Sequence, residues 1–418
     1  MKLILILAFC LALTGCASFG KGVAEAVMEK QGSEDTRVCE VGGNPFDGIE
    51  PGLSNSNGKM KILMVHGVGH HVPGYSTQFL EKLAHETGLN VEARRHKEIG
   101  LTDPHDTSKN LGTLRVDRLL NEAGTKELLF YELTWSAITD PDKKILAYDT
   151  SGEYSFRRAA VNEMLKEFSN DTGPDPMIYL GDKRKDILTS FRQSFCWMVG
   201  ADWENLPSGV SQSCNPLTDE AVKHLAADNL AIVSHSLGSR ITIDGMQSLA
   251  QTVADKAASG HTSSIESRFV DAFRKKELLL YMLSNQLPLL QLGRTLPEVT
   301  GQEEAYCTPG GSHYQDRTLS KTALIAFSDP NDLLSYAIPE GFASDYLDSR
   351  LCIEVTNISI NVADVMDLFG VGKVANPLTA HVGYDSDDRV VALIAKGIGN
   401  TKTSPLIKKR CKWTRLID

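Results

Sequence analysis

Residues 228–245 read D-N-L-A-I-V-S-H-S-L-G-S-R-I-T-I-D-G, and no other stretch narrows the choice of fold so sharply. Leu230, Ala231, Ile232 and Val233 form a continuous apolar run of the kind that fills a parallel strand buried on both faces. From Leu237 to Leu249 the apolar spacing becomes helical. Ser236 stands at the reversal. A strand that turns directly into a helix leaves little space two positions either side of the apex, and Ser234 and Gly238 are both small. Such a turn lifts the Ser236 hydroxyl above the strand end, beside the first free amides of the helix. Glycine is usual where Ser234 stands, so the pattern departs in residue type while keeping a small side chain.

Strand and helix patterns alternate along the rest of the chain, which points to an α/β class with a mostly parallel sheet. Strands are expected at Met60–Val65, Leu128–Thr134, Glu277–Leu283, Thr322–Phe327 and Leu351–Ile358, and helices at Ser76–Thr87, Arg268–Lys276 and Asp388–Ile398. At 418 residues and 42% hydrophobic composition the chain can bury a sizeable core. Asn90 to Ala123 shows no assignable period. Helical spacing recurs at Ser155–Phe168 and Asp186–Val199, and more chain separates Gly67 from Ser236 than two compact βα units need. An insertion over the crevice is therefore expected at about 137–216, and a second, rich in turns, at 285–318. Phe191, Phe195, Trp197, Met198, Val199 and Trp203 are read as packing of that cover, with some facing a groove.

The chain begins with Lys2, an apolar run from Leu3 to Leu13, and Leu13-Thr14-Gly15-Cys16. The run is short for a spanning helix and has the form of an export signal. These four residues resemble the lipobox of a bacterial lipoprotein precursor. That resemblance implies removal of 1–15, lipid on Cys16, attachment to a membrane through it, and outer-membrane sorting because Ala17 follows. The expected organisation is a lipidated tether at 16–59, a catalytic domain at 60–399 and a tail at 400–418. Six cysteines then remain, at positions 39, 196, 214, 307, 352 and 411, and an oxidising compartment permits up to three bridges in 15 connectivities. Cys196 with Cys214 is the preferred local pair.

Three loops carry the chemistry. After Met60–Val65 comes His66-Gly67-Val68-Gly69-His70-His71, whose backbone amides could approach a small anion. Gly67 and Val68, with the Leu237 amide, are the expected donors to the oxyanion of a tetrahedral intermediate. After Thr322–Phe327 comes Ser328-Asp329-Pro330-Asn331-Asp332-Leu333-Leu334. An unassisted serine hydroxyl is a poor nucleophile; it needs an imidazole to take its proton and a carboxylate to orient and charge-stabilise the ring. Asp332 is the preferred carboxylate, with Asp329 as the alternative acid. His381, in the loop beyond the last strong strand, is the base that the order serine, acid, histidine requires. His235 and His313 are weaker choices.

At these residues the chain resembles the α/β-hydrolase superfamily, in particular its lipase-like branch. The resemblance covers about 60–399 and is strongest at His66-Gly67, Ser234 to Gly238, Asn331-Asp332 and His381. It implies an eight-stranded, mostly parallel sheet with helices on both faces, and ester hydrolysis through an acyl-enzyme on Ser236. It brings no cofactor.

Composition limits the alternatives. A formal net charge of -10 without a long basic block argues against nucleic acid. His66, His70 and His71 lack H-E-x-x-H spacing or a fourth ligand nearby, and Asp385, Asp387 and Asp388 form no complete calcium loop, so no metal site is expected. The basic run Lys408–Lys412 reads as a solvated end. An ester or lipid substrate is the expected partner. An acyltransferase using the same serine and a non-catalytic interaction scaffold are the other readings.

Overall fold

Six strands occupy the middle of the molecule because each is apolar enough to be covered on both sides, so that alternate residues feed two separate cores. The computed structural model describes residues 37–55, 58–151, 158–259, 263–367 and 373–414. The strands are β1 (Cys39–Gly43), β2 (Met60–Val65), β3 (Asn90–Asp103), β4 (Asp106–Leu120), β5 (Glu127–Thr134), β6 (Val210–Gln212), β7 (Asn229–His235), β8 (Glu277–Leu283), β9 (Lys321–Ser328), β10 (Ile353–Ile360), β11 (Val365–Asp367), β12 (Lys373–Ala375) and β13 (Cys411–Trp413). Eleven of them form one sheet in the order β13-β1-β10-β9-β8-β7-β2-β5-β4-β3-β6, and β11 and β12 form a separate ribbon. Strands β10 to β5 in that order are mutually parallel, while β4 and β3 continue the sheet as an antiparallel hairpin and β1 runs against β10. The result is an α/β architecture with a mixed sheet, longer by three strands than the eight that the resemblance implies.

Alternation within β2 shows the two-sided burial. Leu63 and Val65 join one core with Leu230 and Ile232 of β7; Met60, Ile62 and Met64 join the other with Ala231 and Val233. Helix α1 (Thr77–Thr87) covers the second core through Phe79, Leu80 and Leu83, together with α7 (Asp388–Lys396). The first core is covered by α3 (Arg184–Gly200), α4 (Leu237–Ser259) and α5 (Ser264–Arg274). The chain thus leaves β2 onto one face and β7, its neighbour, onto the other. Such a reversal opens a crevice at the carboxyl ends of the two strands, the usual place for a ligand in an open α/β sheet.

The long middle segment serves the sheet as well as its rim. In the stretch expected to be an insertion at about 137–216, α3 packs Ile187, Phe191, Phe195, Met198 and Val199 directly into the first core. Helix α2 (Ala160–Thr172) lies beyond it; the start of the expected helix at Ser155 falls outside the described residues. Residues 90–120, which had no readable period, are the β3–β4 hairpin. The expected tether and tail contribute strands too, since β1 is hydrogen-bonded between β10 and β13.

Three disulfides use all six cysteines of the described residues: Cys39–Cys411, Cys196–Cys214 and Cys307–Cys352. Bridges of this number place the chain in an oxidising compartment. The membrane partnership expected through a lipidated cysteine is corrected here. The N-terminal cysteine of the described chain, Cys39, is bonded to Cys411 and offers no thiol for acylation, and Cys16 lies outside the described residues. Among the described residues no helix is long and apolar enough to cross a membrane.

Candidate active site

Ser236 sits between β7 and α4 with φ 54°, a left-handed conformation that costs a side-chain-bearing residue about 1–2 kcal/mol. The Ser236 N–H donates to Leu283 O on β8 at 2.9 Å, which fixes the turn against its neighbour. A Cβ added at Gly238 would stand 2.5 Å from Val65 O and 2.7 Å from His66 O, so position 238 admits no side chain. Position 234 does admit one: Ser234 is buried and its hydroxyl donates to Tyr281 O at 3.3 Å. That contact accounts for serine in place of the usual first glycine. Gly67 approaches from β2, where a Cβ would lie 2.7 Å from Ser236 Cβ.

The other polar groups come from the loops after β8 and β9 and from the helix after β12. His381 belongs to α6 (Pro377–Val382), whose first amides, Leu378 N–H and Thr379 N–H, are capped by Asn376. Its Nε2 is 3.2 Å from Ser236 Oγ, and its Nδ1 is 2.9 Å from Asp332 Oδ1. A second serine, unmarked by any motif, completes the cluster. Ser284, directly after β8, has φ 49° and is fully buried. Its hydroxyl donates to Asp332 Oδ2 at 2.7 Å and faces His381 Nδ1 at 2.9 Å. The Nδ1 proton is therefore shared between a carboxylate oxygen and the Ser284 oxygen. Tyr384 OH, at 3.3 Å, and the Leu334 N–H, at 3.0 Å, also donate to Asp332. Burial alone would raise the Asp332 pKa; the bonds from His381, Ser284 and Leu334 outweigh it and hold the group at about 2. The carboxylate is ionised at neutral pH.

Asp329 is placed differently. It accepts from the Val362, Ala363 and Asn331 amides at 2.7, 3.2 and 2.8 Å and from Asn331 Nδ2 at 3.0 Å, which pins its loop to the segment after β10. His235 holds His381 from the other side, donating from Nε2 to the His381 carbonyl at 2.8 Å. Burial and the neighbouring His381 push the His235 pKa down to about 3, so this ring is neutral. His313 pairs with Asp316 in a surface turn, away from this cluster.

The loop after β2 divides into spent and unspent donors. Gly69, His70 and His71 N–H donate to Asp175, Asp171 and Ser136 at 2.6, 3.2 and 3.1 Å. The amides of Gly67, Val68 and Leu237 donate to none of the described residues. Gly69, included in the sequence expectation for the anion loop, is thereby occupied in holding the loop to 171–175. His66 is a brace: Trp135 N–H donates to its Nε2 at 3.1 Å, which leaves Nδ1–H to donate to Gly67 O at 2.8 Å. Stacked between His71 and Trp135, and with a pKa well below its usual value through burial, it stays neutral. Among the described residues no group of three or more histidine, cysteine or acidic side chains could hold a metal ion.

The cluster is closed to solvent. Ser236 is 0% exposed, His381 7% and Asp332 5%. Around it, Leu333, Leu334, Tyr336, Leu378 and Val382 are exposed apolar side chains on the loops that carry Asp332 and His381. Comparison of the chain with protein-family models, with curated proteins and with solved structures finds no match.

Proposed function

We propose that this chain is a serine hydrolase that cleaves carboxylic esters, with an α/β-hydrolase type of sheet and a Ser236–His381–Asp332 triad. The observation that carries the reading is the continuous relay from Ser236 Oγ through both ring nitrogens of His381 to an ionised Asp332. Chain order supports it, because Ser236 and Asp332 follow the carboxyl ends of the parallel strands β7 and β9, and His381 comes later, after β10 and the β11–β12 ribbon.

On this reading His381 Nε2 takes the Ser236 proton as Oγ attacks the ester carbonyl. Asp332 holds Nδ1–H in the useful tautomer and stabilises the imidazolium. The Leu237 amide, with those of Gly67 and Val68, receives the oxyanion, and each donor so used contributes about 2.7–4 kcal/mol to the transition state. His381 then protonates the leaving alcohol, and water attacks the acyl-enzyme with the same base. Ser284 is a positioning residue in this scheme, fixing the distance between carboxylate and ring. Exposed leucines beside Asp332 and His381 favour an apolar acyl or alcohol group, such as a lipid ester. Because Ser236 is buried, turnover requires the segments above it to part. Acyl transfer to an alcohol is the second reading, since the same serine and base serve either acceptor. The disulfides suit an exported protein.

The test uses the disulfide-intact protein with an ester series of increasing acyl length, alcohol acceptors and an active-site phosphonate. Turnover together with phosphonate on Ser236, lost in Ser236→Ala, is the expected result. Product analysis separates hydrolysis from transfer. Neither label nor turnover across the series would end the proposal.

A further inference from the structure

A second polar centre lies on the outer side of α4, away from Ser236. A cavity of about 630 Å³ opens there, lined by Arg184, Arg240, Asp244, Gln251, Arg294 and Leu296 among others. Its floor is one buried carboxylate facing three guanidiniums. Asp244 Oδ2 accepts from Tyr179 OH at 2.6 Å, Arg294 Nη2 at 2.6 Å and Arg184 Nη2 at 3.0 Å, and Oδ1 is 2.7 Å from Arg240 Nη2. Burial acts to raise the Asp244 pKa, but Arg240 and Arg294 bring it below the usual value, so the group counts as one full negative charge.

Two positive charges remain uncompensated at the floor. The other acids of the cavity do not cancel them: Asp348 is gripped by Arg350 through Nε at 2.9 Å and Nη2 at 2.6 Å, and Glu298 is an exposed rim residue that accepts from Gln251 at 3.0 Å. Donors are in excess as well. Each guanidinium has five N–H groups. Arg240 is 2% exposed, yet its Nε, like that of Arg184, is buried without a hydrogen-bond partner among the described residues. Gathering three arginines, of which Arg240 is buried, around one aspartate is a poor way to make an internal ion pair, since one would neutralise it and the others repel each other. The arrangement suits an arriving dianion.

We propose that this cavity binds a phosphate group. A phosphate or phosphate monoester carries about -1.5 to -2 charges at neutral pH and presents oxygens to which arginine forks bind in pairs. A carboxylate supplies only one charge and would duplicate Asp244. Exposed Leu180 and Leu296 flank the opening, so an apolar substituent on the phosphate has a surface to lie on. This site is independent of the ester-cleaving reading.

Calorimetric titration of the whole, disulfide-intact protein tests the proposal with inorganic phosphate, hexyl phosphate and hexanoate, each at ionic strength matched with sodium chloride. Saturable binding of at least one phosphate probe, at least tenfold tighter than hexanoate, is expected. Hexyl phosphate binding tighter than inorganic phosphate assigns an ester, and equal affinities assign the free ion. Arg294→Gln and Arg184→Gln should each weaken the phosphate probe tenfold or more. Arg184 is partly exposed, so its variant decides the matter should Arg294→Gln fail to fold. Heats no different from sodium chloride, or affinity unchanged in Arg184→Gln, would overturn the assignment.

Discussion

Strands β7 and β8 are neighbours, and each ends in a buried serine with a left-handed backbone, Ser236 at φ 54° and Ser284 at φ 49°. Both hydroxyls touch the same imidazole, one at Nε2 and the other at Nδ1. Their surroundings separate them. Ser236 is followed by a long helix whose first amide is unspent, and Gly67 is pressed against its Cβ. Ser284 is instead followed by Asn285, whose N–H is taken by Phe327 O, and its hydroxyl proton is committed to Asp332. A shared local geometry therefore leaves backbone donors available beside Ser236, as the proposed nucleophile requires, whereas at Ser284 a carboxylate has already claimed the hydroxyl proton.

Removing each group in turn tests that contrast. Ser236→Ala should lower kcat for ester cleavage by about 10⁶-fold and abolish phosphonate labelling, as for other triad serines; label that moves to Ser284 would exchange the two roles. Asp332→Asn should cost about 10⁴-fold in kcat by favouring the wrong ring tautomer. Asp329→Asn, by contrast, should lower the thermal midpoint while leaving kcat within a few-fold, and the reverse order of effects would make Asp329 the acid. Ser284→Ala removes a hydrogen bond to a charged group, a loss of about 1.5–3 kcal/mol, so kcat should fall roughly tenfold to hundredfold with KM little changed. An unchanged kcat would reduce Ser284 to packing.

The smallest effect is read in stability against pH. The His235 pKa is about 3 in the folded protein and 6.5 for an unperturbed ring, so the unfolded chain takes up the proton first. Its contribution is complete above about pH 6.5 and is lost as the pH falls towards 3, with a slope of up to about 1.4 kcal/mol per pH unit. His235→Gln retains a donor towards the His381 carbonyl without titrating. Urea unfolding between pH 7 and 5 should show a slope reduced by one proton in this variant; an undiminished slope would mean that His235 is already protonated when folded.

The central strands were legible because burial on both faces demands unbroken apolar runs, as at Leu230–Val233 and Met60–Val65. The β3–β4 hairpin was not. Register shifts between Val91 and His96 and between Gly100 and Thr102 break the alternation on which a strand reading depends. Ser236 announced itself through the small residues around it, whereas Ser284 stands in Leu-Ser-Asn and becomes recognisable only when β8 and β9 bring it to Asp332. The same holds for Asp171 and Asp175: nothing in their local sequence says that they will occupy the amides of the loop after β2. Strands β1 and β13, at five and three residues, are too short to signal themselves and exist through pairing with each other and, for β1, with β10.

The bridge between Cys39 and Cys411 encloses 372 positions of sequence separation, so nearly all the described chain lies inside one covalent ring. A single proteolytic nick anywhere within that ring would free no fragment, and both sides of the cut would stay fastened at the sheet edge until a reductant opened the clasp.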